Sequence, residues 1–111
     1  MFLIYSQENE SATPEDRSAV FAGHLAVMEE TRQRGIFHAA DPLEGPATAT
    51  TVRVQNADVL ITDGPFAETK EQLAGFYILN CKDLDAAIEM AARVPDALSG
   101  SVEIRPVLEI M

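Results

Sequence analysis

Two side chains of this sequence stand where a proton could be moved. His24 lies four residues before Met28 and seven before Thr31, a spacing by three and four that predicts one face of a helix. Asp63 closes the apolar run Val59-Leu60-Ile61-Thr62 immediately before Gly64-Pro65, where proline has no amide for a ladder and pushes its predecessor out of the helical region. Asp63 is thus expected at a strand end. A carboxylate beside an imidazole orients the ring, fixes its tautomer and stabilises its cation, so His24 with Asp63 is the expected acid-base pair. The plain alternative is a half-buried histidine bonded to a carbonyl and an aspartate that caps its own turn.

A second group is Glu68-Thr69-Lys70-Glu71, whose mixed charges suit a clamp on a polar ligand with Lys70 as the anion partner, or else a solvated segment with local ion pairs. Arg53 and Arg105 project from the polar phase of strand-like runs and could meet a carboxylate ligand. Glu103 and Glu109 are the simpler partners of Arg105. Tyr5 and Tyr77 carry hydroxyls but are expected to pack as rings. With two histidines, neither in an i, i+4 ligand pair, and one cysteine, no metal site is expected. Glycine loops for phosphates or dinucleotides are absent, so no cofactor is implied.

These groups need a scaffold. A strand is expected over 2–5, apolar on both phases. Thr13-Pro14-Glu15-Asp16 reads as a helix start, with threonine capping, proline in the first turn and acids at the positive end of the dipole. That helix runs to Gly35, with Val20 or Phe21, His24, Leu25, Met28 and Thr31 on its inward face. A strand over 36–40, a hairpin over 50–62 turning at Asn56-Ala57-Asp58, and a strand over 76–81 follow. Asp83 caps a second helix with Leu84, Ala87, Ile88 and Ala91 inward, and a strand over 102–108 ends the chain. The order is the ferredoxin-like βαββαβ plan of an α+β protein with an extra hairpin. Two helices cover one sheet face only, so the apolar second face predicts pairing with a second copy.

With 111 residues a single domain spanning 1–111 is expected. The formal charge of -10, with scattered basic residues, argues against direct nucleic-acid binding and against anionic membrane surfaces. Cys81 alone forms no internal disulfide, which fits the cytoplasm. Its apolar surroundings predict an inert buried thiol. The apolar start at 1–5 is too short for a signal or a span, and the Asn9-Glu10-Ser11 triplet is a chance glycosylation match.

Residues 63–79, which open Asp-Gly-Pro-Phe-Ala-Glu-Thr-Lys-Glu, resemble the signature of the YCII-related family, in the branch named for its Asp-Gly-Pro-Phe motif. The resemblance implies a bacterial homodimer built as a dimeric α+β barrel, with a cleft between the sheet and the first helix. It assigns acid-base roles to His24, which is followed by Leu25, and to Asp63, and it implies a fixed role for the 68–71 quartet in the cleft or the dimer contact. The expected site is therefore His24 and Asp63 for catalysis, with Phe66, Glu68, Lys70, Glu71 and Arg105 for ligand binding. The implied activity is cofactor-free elimination, isomerisation or hydrolysis of a small organic substrate, with dehydrochlorinase-like proton abstraction its most concrete form. The competing implication is a non-catalytic ligand-binding or transcription-associated accessory protein linked to sigma factors, with a protein partner in regulation.

Overall fold

The computed structural model describes residues 1–7 and 13–109. Four antiparallel strands form the main sheet: β1 (Phe2–Ser6), β2 (Phe37–Pro42), β5 (Gln72–Leu79) and β6 (Ser101–Ile104), in the order β2-β5-β1-β6. With α1 (Pro14–Gln33) after β1 and α2 (Leu84–Ala91) after β5, this is an α+β chain with the ferredoxin-like strand order. A separate ribbon, β3 (Thr50–Gln55) with β4 (Asp58–Asp63), is inserted between β2 and β5. The expected triplet at 9–11 lies outside the described residues.

Local chemistry accounts for the helix ends. Thr13 accepts from the Asp16 amide while the Asp16 carboxylate accepts from the Thr13 amide, a reciprocal cap whose acid also complements the helix dipole. That bond to the Thr13 amide holds the Asp16 carboxyl below its ordinary range. Asp83 caps α2 by accepting from Ala86. Glu30 ties the two helices together, bonding Arg93 beyond α2 and Arg34 at the end of α1.

The core lies on one face of the sheet, where Phe2, Ile4 and Tyr77 meet Val27 of α1 and Ala87, Met90, Ala91 and Val94. Two expected helix faces shift accordingly. On α2 the inward residues are Ala87, Met90 and Ala91, whereas Leu84 and Ile88 are exposed. On α1 the packed residues are Val27 and Thr31, with Val20, Phe21 and Leu25 rotated outward, because Thr31 satisfies its hydroxyl on the Val27 and Met28 carbonyls and can be fully buried. The last two strands also end earlier than expected, β5 at Leu79 and β6 at Ile104. Cys81 therefore follows β5, half-buried against the core, and burial pushes its thiol up.

The ribbon turns through Asn56 at φ 50° and Ala57 at φ 69°, between the paired Gln55 and Asp58. Both central residues are left-handed, as a two-residue hairpin turn requires, but alanine pays a steric cost there that glycine does not. Ala57→Gly is expected to stabilise the chain by about 1 kcal/mol, read as a higher urea midpoint with an unchanged slope. Four β-branched residues, Val52, Val54, Val59 and Ile61, pair across the ribbon as Val52 with Ile61 and Val54 with Val59, and all four are exposed. The radius of gyration is 16.0 Å, where a chain of this length folded on a single core would have about 13 Å.

Candidate functional site

His24 sits on α1 beside Gly23, and Gly23 decides how close the helix comes to the segment after α2. A Cβ at that position would fall 2.5 Å from Pro95 Cγ, so only glycine lets the helix approach the Pro95-Asp96 corner. Asp96 opens the short α3 (Asp96–Ser99), and its Oδ1 lies 2.9 Å from His24 Nε2. The other ring nitrogen, Nδ1, is 2.5 Å from the Tyr77 hydroxyl on β5. A carboxylate only accepts, so Nε2 carries hydrogen toward Asp96. Neutral His24 then presents the Nδ1 lone pair, and Tyr77 O–H donates to it.

The three groups form a connected line through a mostly apolar wall. Tyr77 is 3% exposed, and its phenol is pushed up to about 12, first by desolvation and then by the charge of Asp96. A cavity of about 150 Å³ opens against them, lined also by Ile4, Phe21, Leu25, Met28, Ala40 and Asp41. Phe21 and Leu25, turned away from the core, supply its helical side. Gly75 supplies part of the strand side: a Cβ there would stand 2.9 Å from the Asp41 carbonyl oxygen, so the glycine allows β2 and β5 to close up at the pocket.

The expected pairing of His24 with Asp63 is corrected within this chain. The carboxylate that holds His24 is Asp96, 72 residues away in sequence, whereas Asp63 ends β4, exposed and paired in register with Thr50 on the ribbon. The physical reason is the ribbon itself: β3 and β4 pair with each other and not with the main sheet, so the Asp63 strand end belongs to the ribbon and not to the sheet that carries Tyr77. Asp96 lies in what reads as a small-residue loop, with only the conformational stop at Pro95 before it as a signal. Tyr77, expected to pack as a ring, does so and also bonds through its hydroxyl.

The remaining candidates do not converge on His24. Phe66, 80% exposed, and Glu71 border a second, open hollow of about 750 Å³ with Tyr5, Leu43 and Thr51. Glu71 accepts from the Ser101 hydroxyl at 2.9 Å, while Glu68 and Lys70 are exposed to solvent. Gln72 holds this loop through Nε2 donations to the Ala67 and Thr69 carbonyls, a role that its sequence context did not mark. Arg105 lies just past β6, with its guanidinium 3.7 Å from Glu103 on the surface, the ion pairing expected of it. Arg53 pairs in register with Leu60 on the exposed ribbon. Among the described residues no group of three or more potential metal ligands forms, and no helix is long and apolar enough to cross a membrane.

The chain is thus a small α+β protein with a ferredoxin-like strand order, a first helix carrying a histidine toward the sheet, and an apolar pocket between them. Within that class the chain belongs to the YCII-related domain family, whose model matches residues 1–111. It is 34% identical over 108 residues to an uncharacterised protein of Rhizobium meliloti (strain 1021), an alignment covering 94% of this chain and 87% of the relative.

Proposed function

We propose that this protein is a small-molecule enzyme in which His24, oriented by Asp96, moves a proton on a neutral, largely apolar substrate. The observation that carries the reading is the histidine held between a carboxylate and a phenol on the wall of an apolar cavity. The carboxylate fixes the tautomer and stabilises the imidazolium, which gives one group that can both take up and return a proton. Elimination, isomerisation and hydrolysis all need that capacity, and the proposed chemistry calls on side chains alone. An apolar cavity of about 150 Å³ holds a molecule the size of benzene. Asp41 and Asp96 beside it disfavour anionic substrates.

A homodimer is part of this proposal. Leu3, Tyr5, Phe76 and Ile78 lie on the sheet face opposite the helices, and the ribbon adds its four exposed β-branched residues. A two-stranded ribbon is marginal alone, so its apolar face gains most by meeting a second copy. The competing reading is a ligand-binding or transcription-associated accessory protein, favoured by the exposed Phe66. It predicts binding without turnover.

Ring opening of benzisoxazole tests the enzymatic reading, because loss of its ring-carbon proton breaks the N–O bond and releases a cyanophenolate that absorbs light. The wild type should turn the probe over, and His24→Ala should lose that turnover while keeping its circular dichroism. Turnover unaffected by His24→Ala, or none above buffer, removes the acid-base reading.

A further inference from the structure

We infer that the atom meeting the substrate's proton is the Tyr77 hydroxyl oxygen, with His24 acting behind it as the proton store and Asp96 as the positioning residue. The inference rests on the acid-base reading above and assigns the order of its groups.

Both ring nitrogens of His24 are already engaged. Nε2 faces Asp96 at 2.9 Å, and Nδ1 faces Tyr77 at 2.5 Å. A histidine so held has no free lone pair to offer the cavity unless one bond breaks. Tyr77 is different: a phenol oxygen donates one hydrogen and still accepts, so while its O–H points at Nδ1 a lone pair remains for a molecule in the cavity that Tyr77 lines. The ring stack agrees, since the His24 and Tyr77 rings lie 5.8 Å apart at 26° and fix one another's orientation.

The step balances without a free tyrosinate. As the substrate's proton is taken by the Tyr77 oxygen, the phenol's own proton passes to His24 Nδ1, giving an imidazolium whose two N–H groups face Tyr77 and Asp96. The electron pair left on the substrate expels its leaving group or moves to the neighbouring atom. In the reverse direction the phenol gives its proton to the substrate as the imidazolium Nδ1–H passes its own to the phenol oxygen, which restores neutral His24 and the resting phenol. The phenol keeps its proton in the resting state because burial and Asp96 both oppose the phenolate. The groups facing this line are Asp96 from α3, Tyr77 from β5 and, across the cavity, Asp41 from β2.

Benzisoxazole turnover decides the order when Tyr77→Phe, His24→Gln and the double variant are compared. Groups that act as one unit are not additive, so each single change should lower kcat at least about tenfold and the double change little further. Nitrogen-resolved NMR of His24 in Tyr77→Phe supplies the readout that separates chemistry from positioning. The ring should keep its Nε2–H form on Asp96 while Nδ1 loses its hydrogen-bond shift. Tyr77→Phe within twofold of wild type, with His24→Gln inactive, would overturn the inference and leave the acid-base reading standing. Loss of the Nε2–H form in Tyr77→Phe would also overturn it, since the phenol would then only position the ring. Activity retained in both single variants would sink the acid-base reading itself.

Discussion

Gly23→Ala is expected to destabilise this protein and to lower its turnover of a proton-abstraction probe about a hundredfold, although the same change in most helix interiors stabilises. Glycine inside a helix ordinarily costs about 1 kcal/mol relative to alanine, so propensity alone favours the substitution. The new Cβ would stand 2.5 Å from Pro95 Cγ, however, and a proline ring cannot swing aside as a long flexible side chain would. Either α1 backs away from the corner or Pro95 moves and takes Asp96 with it. Overpacking of this kind costs about 1–3 kcal/mol, and against a rigid ring at 2.5 Å the cost falls at the upper end and exceeds the propensity gain. Both routes lengthen the 2.9 Å contact between Asp96 and His24, and a displacement on the order of 1 Å at a reacting group can cost about a hundredfold in rate. Urea unfolding and probe kinetics on one preparation test both halves. A higher midpoint with unchanged turnover would show that the corner yields and that Gly23 does not set the site.

Alkaline titration should reveal Tyr77 as the second large effect. Its phenol is raised from 10.0 to about 12, so the native chain keeps a proton that the unfolded chain gives up. Below pH 10 both states hold it and the stabilisation is complete. As pH rises toward 12 only the unfolded state loses it, and stability falls. The full shift corresponds to at most roughly 3 kcal/mol, and the solvent-open cavity beside the ring brings the expected loss to roughly 1–2 kcal/mol. Urea midpoints for wild type and Tyr77→Phe at about pH 9 and about pH 11.5 isolate this contribution as a difference. Tyr5, also raised by burial and by Glu103, contributes equally to both proteins and cancels. Parallel losses in the two would place the Tyr77 phenol at its ordinary value.

Much of the scaffold followed from short-range chemistry. The caps at Thr13 and Asp83, the left-handed turn at Asn56-Ala57, and the alternation of strands and helices are set by groups within a few residues of one another. His24 was legible as well, because a histidine at helical spacing with Met28 and Thr31 must face inward. Its partners were not. Asp63 is marked by the breaker pair that follows it, and local turn chemistry carries no information about whether its strand joins the main sheet or leaves it. The two-stranded pairing of β3 with β4 settled that, and it put Asp63 on the ribbon. Asp96 sits in an unremarkable small-residue stretch, and Tyr77 looks like any aromatic of a buried strand. They reach His24 only because Gly23 lets α1 approach Pro95 and because β5 lies beside β1 under the helix. Residue type and spacing therefore determined which imidazole stands ready, while the close approach of three distant segments, a property of packing alone, decided what holds it and what it can reach.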